Sequence, residues 1–162
     1  MLVYRIGSRR YPANDGRGAA KYGGRWNHKG IALIYAAESR ALCALEILAG
    51  VRELANDYSS FPIEIPDDIP RRILSTTELP QGWNSAEHSN STRELGTKWA
   101  DAKATVVLVV PSAVLARERN YLLNPQHPDF SRITFHEAEP FRFHERLIRG
   151  DRASRKLPRR SR

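Results

Sequence analysis

The sequence has a single cysteine and no long apolar segment. Because Cys43 is alone among 162 residues, an internal disulfide bond and a zinc site built from cysteines are both excluded. No run approaches the roughly 18 apolar residues that a transmembrane helix needs. The segment Met1–Arg5 resembles a strand and no signal peptide precedes it, so we expect a cytoplasmic protein without a membrane partner. The length suits one domain with its own core.

Familiar nucleotide-binding and hydrolase motifs are also absent. Gly16-Arg17-Gly18 lacks the third glycine of a dinucleotide-binding fingerprint, and the chain has no Walker A sequence and no Gly-x-Ser-x-Gly elbow. The five histidines form no metal-binding pair at helical spacing, and His136-Glu137 is not followed by the second histidine of a zinc protease. We therefore expect no metal site.

Acidic residues are scarce at the carboxyl end. From residue 149 onward there are seven basic residues against one acid, Asp151, a net charge of +6 out of the total of +8. This segment has almost no apolar residues, so burial cannot offset the entropy cost of ordering it. The sequence predicts a folded domain over residues 1–148, carrying only +2, and a disordered basic tail over residues 149–162.

A second basic cluster lies near the amino terminus. Between Arg5 and Lys29 there are seven basic residues and one acid, Asp15, interleaved with glycines. Positive charge combined with accessible backbone N–H groups suits phosphate oxygens. The centre of this loop is Gly23-Gly24-Arg25-Trp26, where the arginine can meet a phosphate. An alternative is that Arg25 supports the loop through backbone carbonyls.

The apolar patterns predict an α+β domain, because two helices and several short strands do not alternate regularly. Gly7–Lys29 is predicted to be a long loop, and Asn120–Pro125 a turn-rich connection. The predicted strands are Val3–Ile6, Ile31–Ala37, Phe61–Ile65, Arg72–Leu74, Ala104–Val110, Ile133–Phe135 and Phe141–Phe143, and the predicted helices run from a cap at Ser39 to about Leu54 and from a capping box at Ser91 through Ala102.

Glu46 is the most informative single residue. It is the only charged residue between Ala41 and Val51, in a helix that is apolar all round and therefore predicted to be buried. A lone carboxylate there is costly unless it is paired or hydrogen-bonded. It is either a structural partner of an arginine or a carboxylate held to meet developing positive charge.

Several segments together resemble the RES domain, a family named for its arginine, glutamate and serine. The resemblance runs from about Val3 to Leu147, and no signature position departs from it. The matching segments are Tyr4-Arg5-Ile6, Gly24-Arg25-Trp26-Asn27, Tyr35-Ala36-Ala37-Glu38-Ser39, Ala44-Leu45-Glu46, Val110-Pro111-Ser112-Ala113-Val114 and Asn120-Tyr121-Leu122-Leu123-Asn124-Pro125-Gln126-His127-Pro128.

This resemblance implies both a fold and an activity. RES proteins are toxins of bacterial type II toxin–antitoxin modules, encoded beside an Xre-like helix-turn-helix antitoxin, and their fold is similar to diphtheria-toxin-type ADP-ribosyltransferases. They consume NAD+ as a substrate, so no further cofactor is expected. The ADP-ribose goes to water, phosphate or a protein acceptor, between which the sequence does not decide. We expect the antitoxin to cover the active site.

The resemblance also assigns site residues. Arg25, Tyr35, Glu46 and Ser112 match the family's active-site positions, and Arg5 and Asn27 complete the predicted NAD+-binding set. Glu46 is predicted to stabilise an oxocarbenium-like transition state and Arg25 to bind the pyrophosphate or an adjacent ribose. Tyr35 is predicted to stack on nicotinamide and Ser112 to hydrogen-bond its ribose or amide, although these two roles are interchangeable.

Two other functions compete with this interpretation. The basic composition suits an RNA- or DNA-binding module or a ribonuclease toxin. Against it, the predicted domain carries only +2, and no basic strand rich in aromatic residues suggests base stacking. Direct nucleic-acid binding is therefore expected only through an antitoxin complex. The third hypothesis is a non-catalytic interaction domain, which release of nicotinamide from NAD+ would argue against.

Overall fold

The computed structural model describes residues 1–50, 53–87 and 89–148, so the predicted basic tail lies outside the described residues. Within them the strands are β1 Leu2–Ser8, β2 Ile34–Ala37, β3 Tyr58–Glu64, β4 Arg71–Ile73, β5 Val107–Pro111, β6 Arg119–Leu123, β7 Thr134–Phe135 and β8 Glu139–Pro140. The α-helices are α1 Arg17–Tyr22, α2 Arg40–Gly50, α3 Asn90–Ala102 and α4 Glu145–Ile148, and two 3-10 helices cover Thr76–Glu78 and Pro128–Arg132.

All the described strands belong to one mixed sheet, in the order β4-β5-β6-β2-β1-β3-β7, with β8 also pairing with β3. The β4–β5 pair is parallel and the other pairs are antiparallel. Strands β2 and β6 pair over four positions, the last being Ala37 with Asn120. Strands β1 and β2, in contrast, share one register pair, Tyr4 with Ala37. The chain is a single mixed α/β domain.

Alternating side chains of β5 point into the two layers of the core, as the two-residue period of a strand requires. Val107 and Val109 pack in a cluster with side chains from β1, β2 and β3. Leu108 and Val110 pack on the other side against Trp99 of α3. Because β5 is buried along its whole length, its end at Pro111 is a fixed point for the residues that follow.

Helix α2 begins as the sequence predicts. The Ser39 hydroxyl accepts a hydrogen bond from the backbone N–H of Leu42 at 3.1 Å, which caps the helix. The helix is described as far as Gly50, residues 51 and 52 lie outside the described residues, and Leu54 is not helical.

The prediction that this helix is buried on all sides is wrong. Its fully buried residues are Leu42, Cys43 and Ala44, whereas Leu45–Leu48 are half-buried and Ala49 is exposed. The apolar composition of the second half suggested burial, but no strand or helix covers it completely. Consequently Glu46 lies half-buried rather than in the core.

The most consequential error concerns β6, which was predicted to be a turn-rich connection. Its residues Arg119–Leu123 instead form a central strand between β5 and β2. Asparagine and a following proline favour turns locally, but pairing on both edges overrides that preference. The predicted strand Phe141–Phe143 is also wrong, because the chain pairs with β3 at Glu139–Pro140 and the two phenylalanine rings then pack edge to face.

Helix boundaries differ in two further places. The predicted loop Gly7–Lys29 contains the short helix α1. The cap of helix α3 lies two residues before the predicted one, because the Ser89 hydroxyl accepts a hydrogen bond from the N–H of Thr92 and acts as the cap in place of Ser91.

Candidate functional site

The Glu46 carboxylate is held by two side-chain donors that come from separate strands or their ends. Its Oε1 accepts a hydrogen bond from the Ser112 hydroxyl at 2.8 Å and another from the Asn120 amide at 2.6 Å. Both donors act on the same oxygen. Oε2 receives no hydrogen bond from the described residues, so one carboxylate oxygen is fixed and the other is left for a ligand.

Ser112 is itself fully engaged. It is 1% exposed, and its Oγ accepts hydrogen bonds from the N–H groups of Val114 and Leu115, both at 3.0 Å. Because those two bonds occupy the oxygen as an acceptor, the hydroxyl proton is directed at Glu46. The geometry therefore makes Ser112 a support for the carboxylate and leaves it little room for a direct contact with substrate.

Asn120 was not singled out from the sequence. It lies in β6, in register with Val110 of β5 on one side and Ala37 of β2 on the other, so its backbone is fixed on both edges. The one signal for it was its position at the start of the last matched segment, to which no role had been given. Its amide could be assigned to Glu46 only once β6 was placed beside the end of β5.

The loop around Arg25 is built on Tyr35 and Asn27. The Tyr35 hydroxyl donates to Asn27 Oδ1 at 2.6 Å and accepts from the Trp26 N–H at 3.2 Å. Burial raises the pKa of Tyr35 above its ordinary value, so the hydroxyl stays a donor. A Cβ on Gly24 would lie 2.5 Å from the Tyr35 hydroxyl oxygen, so only glycine permits this approach.

Asn27 is completely buried, at 0% exposure. Its amide nitrogen lies 2.9 to 3.0 Å from the carbonyls of Ala19, His28 and Ile31, and its oxygen is used by Tyr35. Every polar atom of this side chain has a partner within the loop. The expected direct contact with NAD+ therefore does not fit this geometry, which instead gives Asn27 the task of shaping the loop.

Helix α3 presses directly on this loop. A Cβ on Gly96 would overlap the carbonyl of Trp26, so the helix crosses the loop at its glycine. One residue further on, the Thr97 hydroxyl accepts a hydrogen bond from the N–H of His28 at 3.1 Å. The loop is thus fixed by contacts with two elements, with Tyr35 of β2 and with Gly96 and Thr97 of α3.

Arg25 is bound to backbone carbonyls, as in the alternative considered from the sequence. Its two terminal nitrogens donate to the carbonyls of Trp83 and Ser85 at 2.7 and 2.9 Å. Partial burial lowers the pKa of the guanidinium, and the nearby charge of Glu46 acts in the opposite direction. The structure therefore brings Arg25, Tyr35 and Glu46 into one region, and Arg25 retains N–H groups beyond the two in use.

Arg5 approaches the same region from β1. Its Nη1 donates to the backbone carbonyl of Tyr35 at 3.2 Å, where β1 and β2 have ceased to pair. Burial lowers the pKa of this guanidinium, and the charge of Asp15 opposes that shift. Among the described residues Arg5 has no ion-pair partner within 4.0 Å, so its charge is available to an anion.

Two other kinds of feature are absent from the described residues. The described part of the chain contains no cluster of three or more histidine, cysteine, aspartate or glutamate side chains that could hold a metal ion. No helix in the same residues is long and apolar enough to cross a membrane.

The fold is similar to that of a chain in a solved toxin–antitoxin complex. The chain superimposes on a chain in the crystal structure of the M. tuberculosis MbcT–MbcA toxin–antitoxin complex with a TM-score of 0.69, covering 85% of this chain and 81% of that one. The two sequences are only 18% identical, so this likeness concerns the fold alone.

The family follows from the sequence. The RES domain model matches residues 2–144, and the chain belongs to the RES domain family, which confirms the expected resemblance. It is 40% identical over 134 residues to "Toxin Res" of Yersinia enterocolitica, covering 80% of this chain and 88% of that protein. It is 35% identical over 150 residues to the "Prs ADP-ribosylating toxin" of Sphingobium sp. (strain YBL2), covering 88% and 92%.

Proposed function

We propose that this protein is the toxin of a toxin–antitoxin module and that it cleaves the bond between nicotinamide and ribose in NAD+. The observation that carries the proposal is the Glu46 carboxylate, which Ser112 and Asn120 fix through Oε1 in a region that also holds Arg25. Its Oε2 accepts no hydrogen bond from the part of the chain that the structure describes. Relatives named as toxins, one of them ADP-ribosylating, support it.

The chemistry suits a site with one carboxylate. Nicotinamide in NAD+ is a cationic pyridinium and leaves as a neutral base, so no general acid is needed to protonate it. Ordinary glycoside hydrolysis needs two carboxylates, whereas one suffices here. Positive charge develops on the ribose as the bond lengthens, and a fixed carboxylate stabilises it without having to reorganise. Glu46 does this through Oε2, against the ribose ring or its hydroxyls.

The other residues divide between holding the substrate and holding the site. Arg25 and Arg5 supply charge for the phosphates, while Ser112 and Asn120 position Glu46. The hydroxyl of Tyr35 is used within the loop, so a contact with nicotinamide has to come from its ring. We also propose that the fold is related to that of the diphtheria-toxin-type ADP-ribosyltransferases and that the reaction requires no cofactor besides the substrate NAD+.

A toxin of this class is expected to have an antitoxin as its protein partner. An Xre-like antitoxin that covers the cleft at Arg25 would block the substrate, and the structurally similar protein was crystallised with an antitoxin. Exposed Tyr11 and Tyr22 beside the basic loop suit an interface, since aromatic residues and arginine are enriched there. Water, phosphate and a protein side chain remain the candidate acceptors, and a cytoplasmic location stays a prediction.

One experiment tests the activity and identifies the acceptor. The purified protein is incubated with NAD+ and phosphate, with and without cell extract, and the products are followed by mass spectrometry. We expect free nicotinamide, with the ADP-ribose appearing as the free sugar nucleotide, as a phosphorylated product or on a protein. If intact NAD+ persists in all arms with folded protein, the proposed function is wrong.

A deletion separates this function from the nucleic-acid alternative. Removing residues 149–162 eliminates most of the net positive charge. We expect NAD+ cleavage to survive this deletion, because no proposed site residue lies in that segment. A ribonuclease or nucleic-acid-binding protein would instead lose salt-sensitive binding.

A further inference from the structure

Three arginines lie around Tyr35, and none of them forms an ion pair with an acid among the described residues. Arg5 donates to the Tyr35 carbonyl, and Arg25 lies on the loop that the Tyr35 hydroxyl supports. The third is Arg93 of α3, whose Nε donates to the carbonyl of Gly24 at 3.1 Å, next to Arg25. Their bonding partners are all neutral carbonyls.

Arg93 occupies an unfavourable place for a cation. It is the fourth residue of α3, in the turn where the helix dipole favours acids and disfavours bases, and that turn contains no acid. Its Nε also donates to the carbonyl of Gly24, the residue that precedes Arg25, and the charges of both arginines oppose the rise that burial causes in the pKa of Tyr35. Like charges brought together at a half-buried place destabilise a protein unless an anion joins them. Placing Arg93 here therefore lowers the stability of the fold, and the hydrogen bond to the carbonyl of Gly24 offsets that loss only in part.

The geometry of Arg93 leaves most of the guanidinium unused. An arginine carries five N–H donors, and the hydrogen bond to Gly24 uses the single one on Nε. Both terminal nitrogens, which form the fork that fits two phosphate oxygens, have no partner among the described residues. The side chain is half-buried, so the fork is neither in the core nor freely solvated.

We propose that Arg93 is a second ligand of a diphosphate group, acting beside Arg25. Its Nε bond to Gly24 fixes the direction of the fork, and its charge and that of Arg25 are shared by the two phosphates of one ligand. A purely structural role, that of tying α3 to the loop, would need only the Nε bond. The identity of the ligand as a dinucleotide rests on the proposed function, whereas the existence of the anion site does not.

The test uses the full chain and inorganic pyrophosphate, with ADP-ribose as the second probe, titrated by calorimetry at low and moderate salt. We expect Arg93→Gln to weaken both probes by about 10-fold or more, since a charge-assisted pair is lost. Arg142→Gln is the matched control, because Arg142 is exposed just after β8, which pairs with β3 and so lies away from the β4–β5 edge of the sheet on which α3 packs. It should change neither affinity.

A second variant guards against a merely structural effect. Arg93→Lys keeps the charge but loses the planar fork, so we expect it to retain the thermal stability of the wild type and to bind pyrophosphate with intermediate affinity. Folded Arg93→Gln or Arg93→Lys with unchanged affinity for both probes would overturn the inference. If pyrophosphate binding falls as expected while the wild type releases no nicotinamide, the anion site stands and the proposed function fails. If the wild type cleaves NAD+ while folded Arg93→Gln binds both probes as tightly as the wild type, the proposed function stands and the inference about Arg93 fails.

Discussion

The carboxylate in the proposed site is held by side chains, whereas the arginines near it are held by backbone carbonyls. Glu46 is fixed by Ser112 and Asn120, which belong to a buried strand end and a central strand. Arg25 is bound to the segment around Trp83, a run of turns without regular structure. The site therefore has a carboxylate half, Glu46 with its two donors, which is held by strands, and an arginine half, which is held by a segment without regular structure.

The difference matches the tasks proposed for the two halves. A group that meets developing charge must already be in place, because any reorganisation in the transition state reduces its benefit. A group that binds phosphate can exchange a carbonyl for a phosphate oxygen as the substrate arrives, since the phosphate forms the stronger, charge-assisted bond. We expect substitutions in the carboxylate half to change kcat and those in the arginine half to change KM.

The largest effect should come from removing the charge of Glu46. Glu46→Gln retains the size of the side chain and its Oε1 acceptor, so the protein should fold normally while nicotinamide release falls on the order of 10²–10³-fold. Initial rates at saturating NAD+ measure this change. Glu137→Gln, at an exposed acid without a hydrogen-bond partner among the described residues, is the control. Near-normal turnover in folded Glu46→Gln would remove the carboxylate from the mechanism.

In the arginine half, the substitution with the largest expected effect is at Gly24. A Cβ there would lie 2.5 Å from the Tyr35 hydroxyl oxygen and 2.9 Å from Asn27 Oδ1. Gly24→Ala should therefore lower the free energy of unfolding by about 1–3 kcal/mol, a cost typical of overpacking, and raise KM for NAD+. Denaturant unfolding together with steady-state kinetics checks both. Gly50→Ala is the matched control, since a Cβ at Gly50 meets nothing within 4 Å.

A smaller effect on kcat should follow from releasing one of the two donors. Asn120→Ala leaves Glu46 charged but held by Ser112 alone, so we expect kcat to fall about 10-fold while KM changes little. Asn124→Ala serves as a comparison, because this buried asparagine in the same segment donates to the carbonyl of Ala100 instead. It should reduce stability and leave kcat of the folded protein unchanged. A rise in KM alone for Asn120→Ala would contradict the division between the two halves.

The smallest effect concerns Cys43, which anchors α2 to β1 beneath the carboxylate half. Its thiol donates to the carbonyl of Tyr4 at 2.9 Å, and burial raises its pKa to about 11. Because the folded-state pKa is raised, the neutral thiol contributes fully below the ordinary pKa near 9 and its contribution is lost as the pH rises towards 11. Relative to Cys43→Ala, the wild type should lose stability over this range and show no pH-dependent difference at neutral pH. Parallel unfolding curves at pH 7 and pH 10 measure this.

Sequence patterns single out residues of the proposed site, whereas the contacts of those residues depend on the fold. Glu46 stood out because a lone acid in an apolar helix is costly, and Arg25 because of its glycine neighbours; both reasons are local. Asn120 and Arg93 could not be found in this way, since their partners lie 74 and 69 residues away in the sequence. Pairing on both edges also turned a turn-like segment into β6, and no periodicity signals that.

The register of β6 has a consequence for the assembly of the proposed site during folding. Side chains alternate along a strand, so a slip of one residue would turn Asn120 to the opposite face and bring Arg119 or Tyr121 towards Glu46. Neither side chain carries the amide that completes the carboxylate support. The proposed site is therefore assembled only when β2, β5 and β6 are aligned, and a chain with shifted strands lacks the second donor to Glu46.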